Sequence, residues 1–401
     1  MTPRPKWWPL HTTNYLGVLN DNFLKTIACY VCVAWVGIRY EELLVTAAAA
    51  ALVVPYVFLS PLAGRWAVIY SKKRVVHIAK ALEMSIMILA TLGFILENVW
   101  IILGCILLMG TQSCLFSPSK YGLIRDIGGQ EGVPYGTGLM ETVSFLGMLS
   151  GTLLASFLSG TSMWVFCALL FSIAAIGFAC SLALRVQEIP PEEEKDSLRP
   201  FKFLADCFKE ARKYAGLNRV VLALSVFWFM AAVIQMTLLV YCRRNIGMTD
   251  LQTGWVLTGA AIGTGLGCAL SGKWSRTRSR THLTTLSGTG IWLLLLAAFA
   301  LPLKGAAFGT LIFLTGFCSG LFKVPFDSAI IEKVPGRALG RMLAYANQVS
   351  FLFILAASGA FGLITKYLDT KYIFLFLGVV MCATTAFVAF SKYLWCTNYD
   401  S

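Results

Sequence analysis

The sequence predicts an all-α membrane protein with twelve transmembrane helices in two pseudo-symmetric six-helix halves, and three observations carry that expectation. Of the 401 residues, 57% are hydrophobic and only 13% are charged, about half the charge of a soluble domain; the mean hydropathy is +0.72. Apolar stretches of about 20 residues, enough to cross a bilayer as a helix, follow one another along the chain and leave no room for a catalytic domain outside the membrane. Short motifs of the first half also return in the second at a nearly constant offset.

The first ten residues hold Arg4, Lys6 and three prolines and are too polar for the apolar core of a signal peptide. The long apolar stretch behind them, with Asp21 and Lys25 and no small-residue cleavage site, is read as a retained first span. Trp7 and Trp8 suit the membrane interface. The first-half spans are expected near residues 12–38, 43–68, 75–96, 99–117, 135–160 and 162–184. Those of the second half are expected near 219–242, 251–274, 282–303, 306–326, 340–366 and 371–395. The chain thus divides into an N-terminal half (1–184), a cytoplasmic linker (185–218) and a C-terminal half (219–401). The linker opens on Pro190-Pro191-Glu192-Glu193-Glu194-Lys195 and continues with Phe201, Leu204, Phe208 and Ala211 at helical spacing among lysines and arginines. It reads either as a basic amphipathic helix on the inner leaflet or as a solvated connector.

A net charge of +13 could suggest a nucleic-acid partner, but the basic residues alternate by loop. Sorted along the spans, 24 of the 33 lie on one side, six on the other, and Lys25, Arg65 and Lys80 within or at the ends of spans. Cytoplasmic loops carry the Lys/Arg excess, so both termini are assigned to the cytoplasm, and nucleic acid is excluded as a partner. Nearly all twelve cysteines lie inside apolar runs, where cysteine behaves as a small hydrophobe; Cys29-x-x-Cys32 is read as packing. His11, His77 and His282 are too scattered for a metal motif. No metal and no cofactor are expected. Without a nucleophile–His arrangement, metal-ligand cluster or phosphate-cradling loop, neither is an enzyme.

Leu115-Phe116, followed by Pro118, Lys120, Arg125 and Asp126, recurs as Leu321-Phe322 with Lys323, Pro325, Asp327 and Glu332, an offset of 206. Ser144-Phe145 meets Ser350-Phe351 at the same offset, and Gly64-Arg65-Trp66 meets Gly272-Lys273-Trp274 at 208. Three matches in order imply a duplicated six-helix unit, the major facilitator architecture. The stretch from Gly64 to Arg74 resembles that superfamily's loop between spans two and three, with Val68 where the loop has an aspartate.

Ionisable groups at the centre of a span cost about 2.5–3.5 kcal/mol or more each and mark a pathway or a binding site. They are Asp21 and Lys25 in the first span, beside Asn22; Lys80 and Glu83 in the third; and Glu141 in the fifth. Asp21 and Lys25 share a helix face, as do Lys80 and Glu83, and each pair could instead be a self-contained ion pair. Glu141 has no base within reach on its own helix, so its partner lies elsewhere or it is protonated. Gln235 is the conspicuous polar group in the middle of span seven. Charge is expected mainly in the first half, leaving the second mostly apolar, which suits an amphiphilic substrate. Gly147 and Gly151, and Gly259, Gly263 and Gly267, are read as helix-packing faces.

Asn20-Asp21-Asn22, Phe116-Ser117-Pro118-Ser119-Lys120-Tyr121-Gly122 and Gly138-Leu139-Met140-Glu141 resemble, in order and spacing, G-D-N, S-P-A-K-Y-G and G-L-M-E of the bacterial lysophospholipid transporter (LplT) family. The resemblance implies a multi-pass protein of the bacterial inner membrane, expected as a monomer. It would move lysophospholipids, chiefly lysophosphatidylethanolamine, to the cytoplasmic leaflet for re-acylation by an acyltransferase or acyl-ACP synthetase partner. It also makes Asp21 and Lys120 functional positions, with Tyr121 beside them. Asp21 or Glu141 would meet the ethanolamine ammonium, and Lys120 the phosphate or a gate contact. The alternative on the same fold is a proton-coupled exporter of drugs or metabolites, with Asp21 and Glu141 carrying the proton.

Overall fold

The computed structural model describes residues 7–37, 41–188, 199–275, 279–336, 338–391 and 394–395. The Pro190 to Lys195 stretch, Arg4, Lys6 and the carboxyl-terminal residues lie outside them. Among the described residues every regular element is a helix: α1 (Trp8–Val36), α2 (Glu41–Phe58), α3 (Ser60–Ile69), α4 (Lys72–Ile95), α5 (Val99–Leu158), α6 (Met163–Leu182), α7 (Pro200–Ala211), α8 (Leu217–Tyr241), α9 (Asp250–Trp274), α10 (Arg280–Ala300), α11 (Gly305–Lys333), α12 (Leu339–Tyr367) and α13 (Tyr372–Phe390). A π-helical turn, Cys242–Ile246, extends α8.

Nine of these helices are long and apolar enough to cross a membrane, or ten when the bent pair α2–α3 is taken as one span. The chain is therefore a multi-pass membrane protein. The remaining two of the twelve expected spans have to come from α5 and α1. At about 1.5 Å per residue, the 60 residues of α5 are long enough for two crossings. The 29 residues of α1 suffice in length, and Asn20, Asp21, Asn22 and Lys25 keep its hydropathy low.

Three boundaries differ from the sequence reading. The stretch expected as one span over 43–68 is bent by 56° between α2 and α3, because Pro61 has no N–H to give to the Val57 carbonyl four residues back. That freed carbonyl accepts from Gln348 Nε2 at 2.9 Å. The loop expected between spans four and five is helical, interrupted at Gly129, whose φ of 64° is left-handed and suits glycine. The tenth span continues through Pro325 to Lys333 rather than ending at 326.

The chain forms two compact units. The first comprises Met1–Gly129, Leu146–Cys207 and Pro335–Gln348; the second comprises Gln130–Phe145, Phe208–Val334 and Val349–Ser401. In the first, α1 and α4 pack on α6 around Phe23, Ile27, Phe94, Ile102 and Phe166, with the Phe94 and Phe166 rings edge to face at 5.0 Å. Gly147 and Gly151 of α5 lie against the α1 backbone; a Cβ at Gly151 would stand 2.2 Å from the Leu19 carbonyl oxygen. In the second, α9 packs on α11 through Gly263 and Gly267, whose added Cβ atoms would fall 2.3 and 2.1 Å from the Phe313 and Phe317 carbonyl oxygens. Gly259, expected on the same face, looks into open space.

The amphipathic helix of the linker is α7, and its two faces carry different apolar residues. Phe203, Cys207 and Ala211 are buried while Phe201 and Phe208 are 69% and 43% exposed, and the Arg212 guanidinium stacks 4.9 Å from the Phe208 ring. Glu188, near the start of the linker, accepts from the backbone N–H groups of Lys72 (2.5 Å) and Lys73 (3.0 Å). A carboxylate is favoured at this helix N-terminus.

Candidate functional site

The polar residues of α1 are held by three neighbours. Asn20 donates to Glu83 Oε1 at 3.0 Å, and Glu83 Oε2 pairs with Lys80 Nζ at 2.6 Å. Lys80 is 0% and Glu83 1% exposed. Lys80 finds room because α1 and α6 present glycines to it: a Cβ at Gly17 would stand 2.5 Å from its Nζ, and one at Gly177 3.6 Å. The lysine and glutamate therefore form the ion pair that their spacing permitted, and Asn20 ties it to α1.

Asp21 and Lys25 do not neutralise each other in the same way. Asp21 Oδ2 accepts from Ser113 Oγ of α5 at 2.7 Å, and its Oδ1 is buried with no hydrogen-bond partner. Lys25 Nζ instead donates to Asn22 Oδ1 at 3.2 Å, and Asn22 Nδ2 donates to the Val18 carbonyl at 2.8 Å. Two further turns along α5 from Ser113, Lys120 Nζ donates to Asn14 Oδ1 at 2.8 Å. It lies over the rings of Phe116 (5.2 Å) and Tyr121 (5.4 Å), within the range of a cation–π contact. Asp21, Asn22, Lys25, Lys120 and Tyr121 thus belong to one α1–α5 region of the first unit, and the Lys80–Glu83 pair adjoins it through Asn20.

Glu141 is in the second unit, and its partner is Lys323. Lys323 Nζ is 2.6 Å from Glu141 Oε2 and 2.7 Å from Asp327 Oδ2, with the Trp228 ring 5.1 Å away. Glu141 is 3% and Lys323 1% exposed. This corrects two expectations. Lys323 is no loop residue to be counted among the 24 of one side, and the charge expected mainly in the first half is joined by a buried Lys323–Asp327 pair in the second. The sequence signal was available, since Lys323 and Asp327 are four apart on one helix. With the span expected to end at 326, Lys323 falls beside its edge and is sorted with the basic residues of one side. Gln235 of α8, also a candidate, is exposed. Among the described residues no group of three His, Cys, Asp or Glu side chains is placed to hold a metal.

The sequence model of the Major Facilitator Superfamily matches residues 36–358 and again 220–399. The chain belongs to the Major Facilitator Superfamily. Among curated major facilitator relatives it is similar to the lysophospholipid transporter LplT of Yersinia enterocolitica, 25% identical over 330 residues that cover 79% of this chain and 77% of the relative. It is also similar to LplT of Photorhabdus laumondii, 24% identical over 322 residues covering 78% of each. The likeness to that family read from the motifs is therefore met across most of the chain. Solved major facilitator structures share the fold. A variant of the E. coli fucose:proton symporter FucP superimposes with a TM-score of 0.78 at 12% identity over 96% of this chain and 98% of that one. The human organic anion transporter MFSD10 gives 0.76 at 12% identity over 96% and 100%. The protein is a membrane transporter of the major facilitator type, and its relatives are transporters rather than enzymes.

Proposed function

We propose that this transporter moves lysophospholipids, and lysophosphatidylethanolamine above all, to the cytoplasmic leaflet of a bacterial inner membrane by alternating access. The termini would lie on the cytoplasmic side, and a cytoplasmic acyltransferase or acyl-ACP synthetase would consume the product. The observation that carries the reading is the state of Asp21. One of its oxygens is fixed by Ser113 and the other is buried without a donor, in the middle of a membrane helix where an unsatisfied charge is expensive. An ammonium group supplies the missing donor and the opposite charge together. Lys120, held by Asn14 and backed by two aromatic rings, provides the cation for a head-group phosphate. A single-chain lipid carries one ammonium and one phosphate near one end and an apolar tail at the other, which fits a polar α1–α5 region flanked by apolar helix surface.

The similarity to proteins named lysophospholipid transporters supports the same substrate class. The test is uptake of labelled lysophosphatidylethanolamine by liposomes containing wild-type, Asp21→Asn or Lys120→Ala protein. Loss of a charge-assisted contact of about 1.5–3 kcal/mol lowers uptake by at least about tenfold in each variant. Variants that insert normally and transport at the wild-type rate would exclude this assignment.

A further inference from the structure

Applied to the Glu141–Lys323 pair, the internal repeat relates it to a second contact. At the offset of 206, Glu141 corresponds to Asn347 and Lys323 to Ser117. Asn347 Nδ2 donates to Ser117 Oγ at 2.9 Å. The repeat therefore makes one contact twice, once as a buried ion pair in the second unit and once as a neutral hydrogen bond in the first. The backbones beside it obey the same relation. A Cβ at Gly138 would stand 2.7 Å from the Gly272 Cα, and at the repeat-related pair a Cβ on Gly64 would stand 3.0 Å from the Ala344 Cβ. In each case one partner comes from the first six-helix half of the sequence and the other from the second.

We propose that Glu141 and Lys323 form a charge latch of the transport cycle, with Asn347 and Ser117 as its uncharged counterpart. Major facilitator transport moves one six-helix half against the other, so contacts between residues of different halves are made and broken in each cycle. Lys323 is built for this. Asp327, on its own helix, stays at 2.7 Å whatever α5 does, so the lysine keeps a counter-charge when Glu141 departs. Glu141 is the member that is exchanged. A charged contact in a low-dielectric setting is stronger than a neutral one, so the α5–α11 contact controls opening more than the α12–α5 contact does. The inference rests on the superfamily mechanism and not on the substrate.

The experiment is hydrogen–deuterium exchange of the full protein in lipid nanodiscs without substrate, read over residues 130–145 and 319–330. Breaking one partner of a buried pair should raise exchange there by about tenfold or more for Glu141→Gln. The charge swap Glu141→Lys with Lys323→Glu keeps one ammonium and two carboxylates in place and should return exchange toward the wild-type level. Charging the counterpart, Asn347→Glu with Ser117→Lys, should slow exchange over 339–348. Unchanged exchange in Glu141→Gln overturns the proposal, as does a folded swap variant as open as the single one. If Glu141→Gln fails to insert, the counterpart variant decides, and exchange no slower than wild type refutes the latch. Failure of the latch leaves the lysophospholipid reading intact, because no lipid substrate enters the measurement.

Discussion

Replacing Lys80 by methionine removes one half of an ion pair whose members are 0% and 1% exposed. Glu83 keeps the hydrogen bond from Asn20 at 3.0 Å but loses the ammonium at 2.6 Å. Leaving one buried charge uncompensated costs about 3–5 kcal/mol, an apparent melting shift on the order of 10 °C for a unit of about 200 residues. Methionine fills nearly the same volume between Gly17 and Gly177, so little of that loss comes from a cavity. Removing both charges in Lys80→Met with Glu83→Met should recover most of the stability, because an apolar pair replaces the buried ions without leaving an orphan. Thermal unfolding in nanodiscs, followed by tryptophan fluorescence, measures all three proteins. A single variant within about 0.5 kcal/mol of wild type, the range of an ordinary surface substitution, refutes the reasoning. So does a double variant no more stable than the single one.

Three other consequences are open to measurement. Gly267→Ala puts a methyl group about where the Phe317 carbonyl oxygen approaches to 2.1 Å; the α9–α11 pair must part, at a cost of about 1–3 kcal/mol in thermal unfolding. Phe203→Ala should cost about 3–5 kcal/mol, because the ring is buried on α7. Phe201→Ala, on the exposed face, should stay within about 0.5 kcal/mol; equal effects would refute this packing of α7. Lys120→Met should lower the affinity for a phosphate-bearing lysolipid in a binding titration by about tenfold, while a phosphate-free monoacyl amphiphile binds as before.

Much of the architecture was legible because hydropathy alone places membrane helices, and because the repeat gives matched motifs. The Asn20-Asp21-Asn22 and Lys80–Glu83 groups stood out as charge in apolar surroundings, and their helical spacing identified the second pair. What was missed depended on long-range packing. Lys323 reads as the edge of a loop until α11 is seen to continue through Pro325 to Lys333. Its partner Glu141 is far from it along the chain, on α5. The bend at Ser60-Pro61 follows from proline's missing N–H, yet the use made of the freed Val57 carbonyl by Gln348 has no local signature. On α7, Phe201 and Phe208 share helical spacing with Leu204 and Ala211, and only the packed structure shows that Phe203 and Cys207 take the inner face.

Uptake of labelled lysophosphatidylethanolamine into liposomes under an imposed proton gradient, with and without a protonophore, tests the central claim most directly. Lysophospholipid movement that is facilitated, in contrast to the proton-coupled exporter weighed as the alternative, predicts protein-dependent uptake that persists at the same rate when the proton gradient is collapsed and falls with Asp21→Asn. Protein-dependent uptake that vanishes with the gradient, or no uptake by a correctly inserted protein, would contradict it.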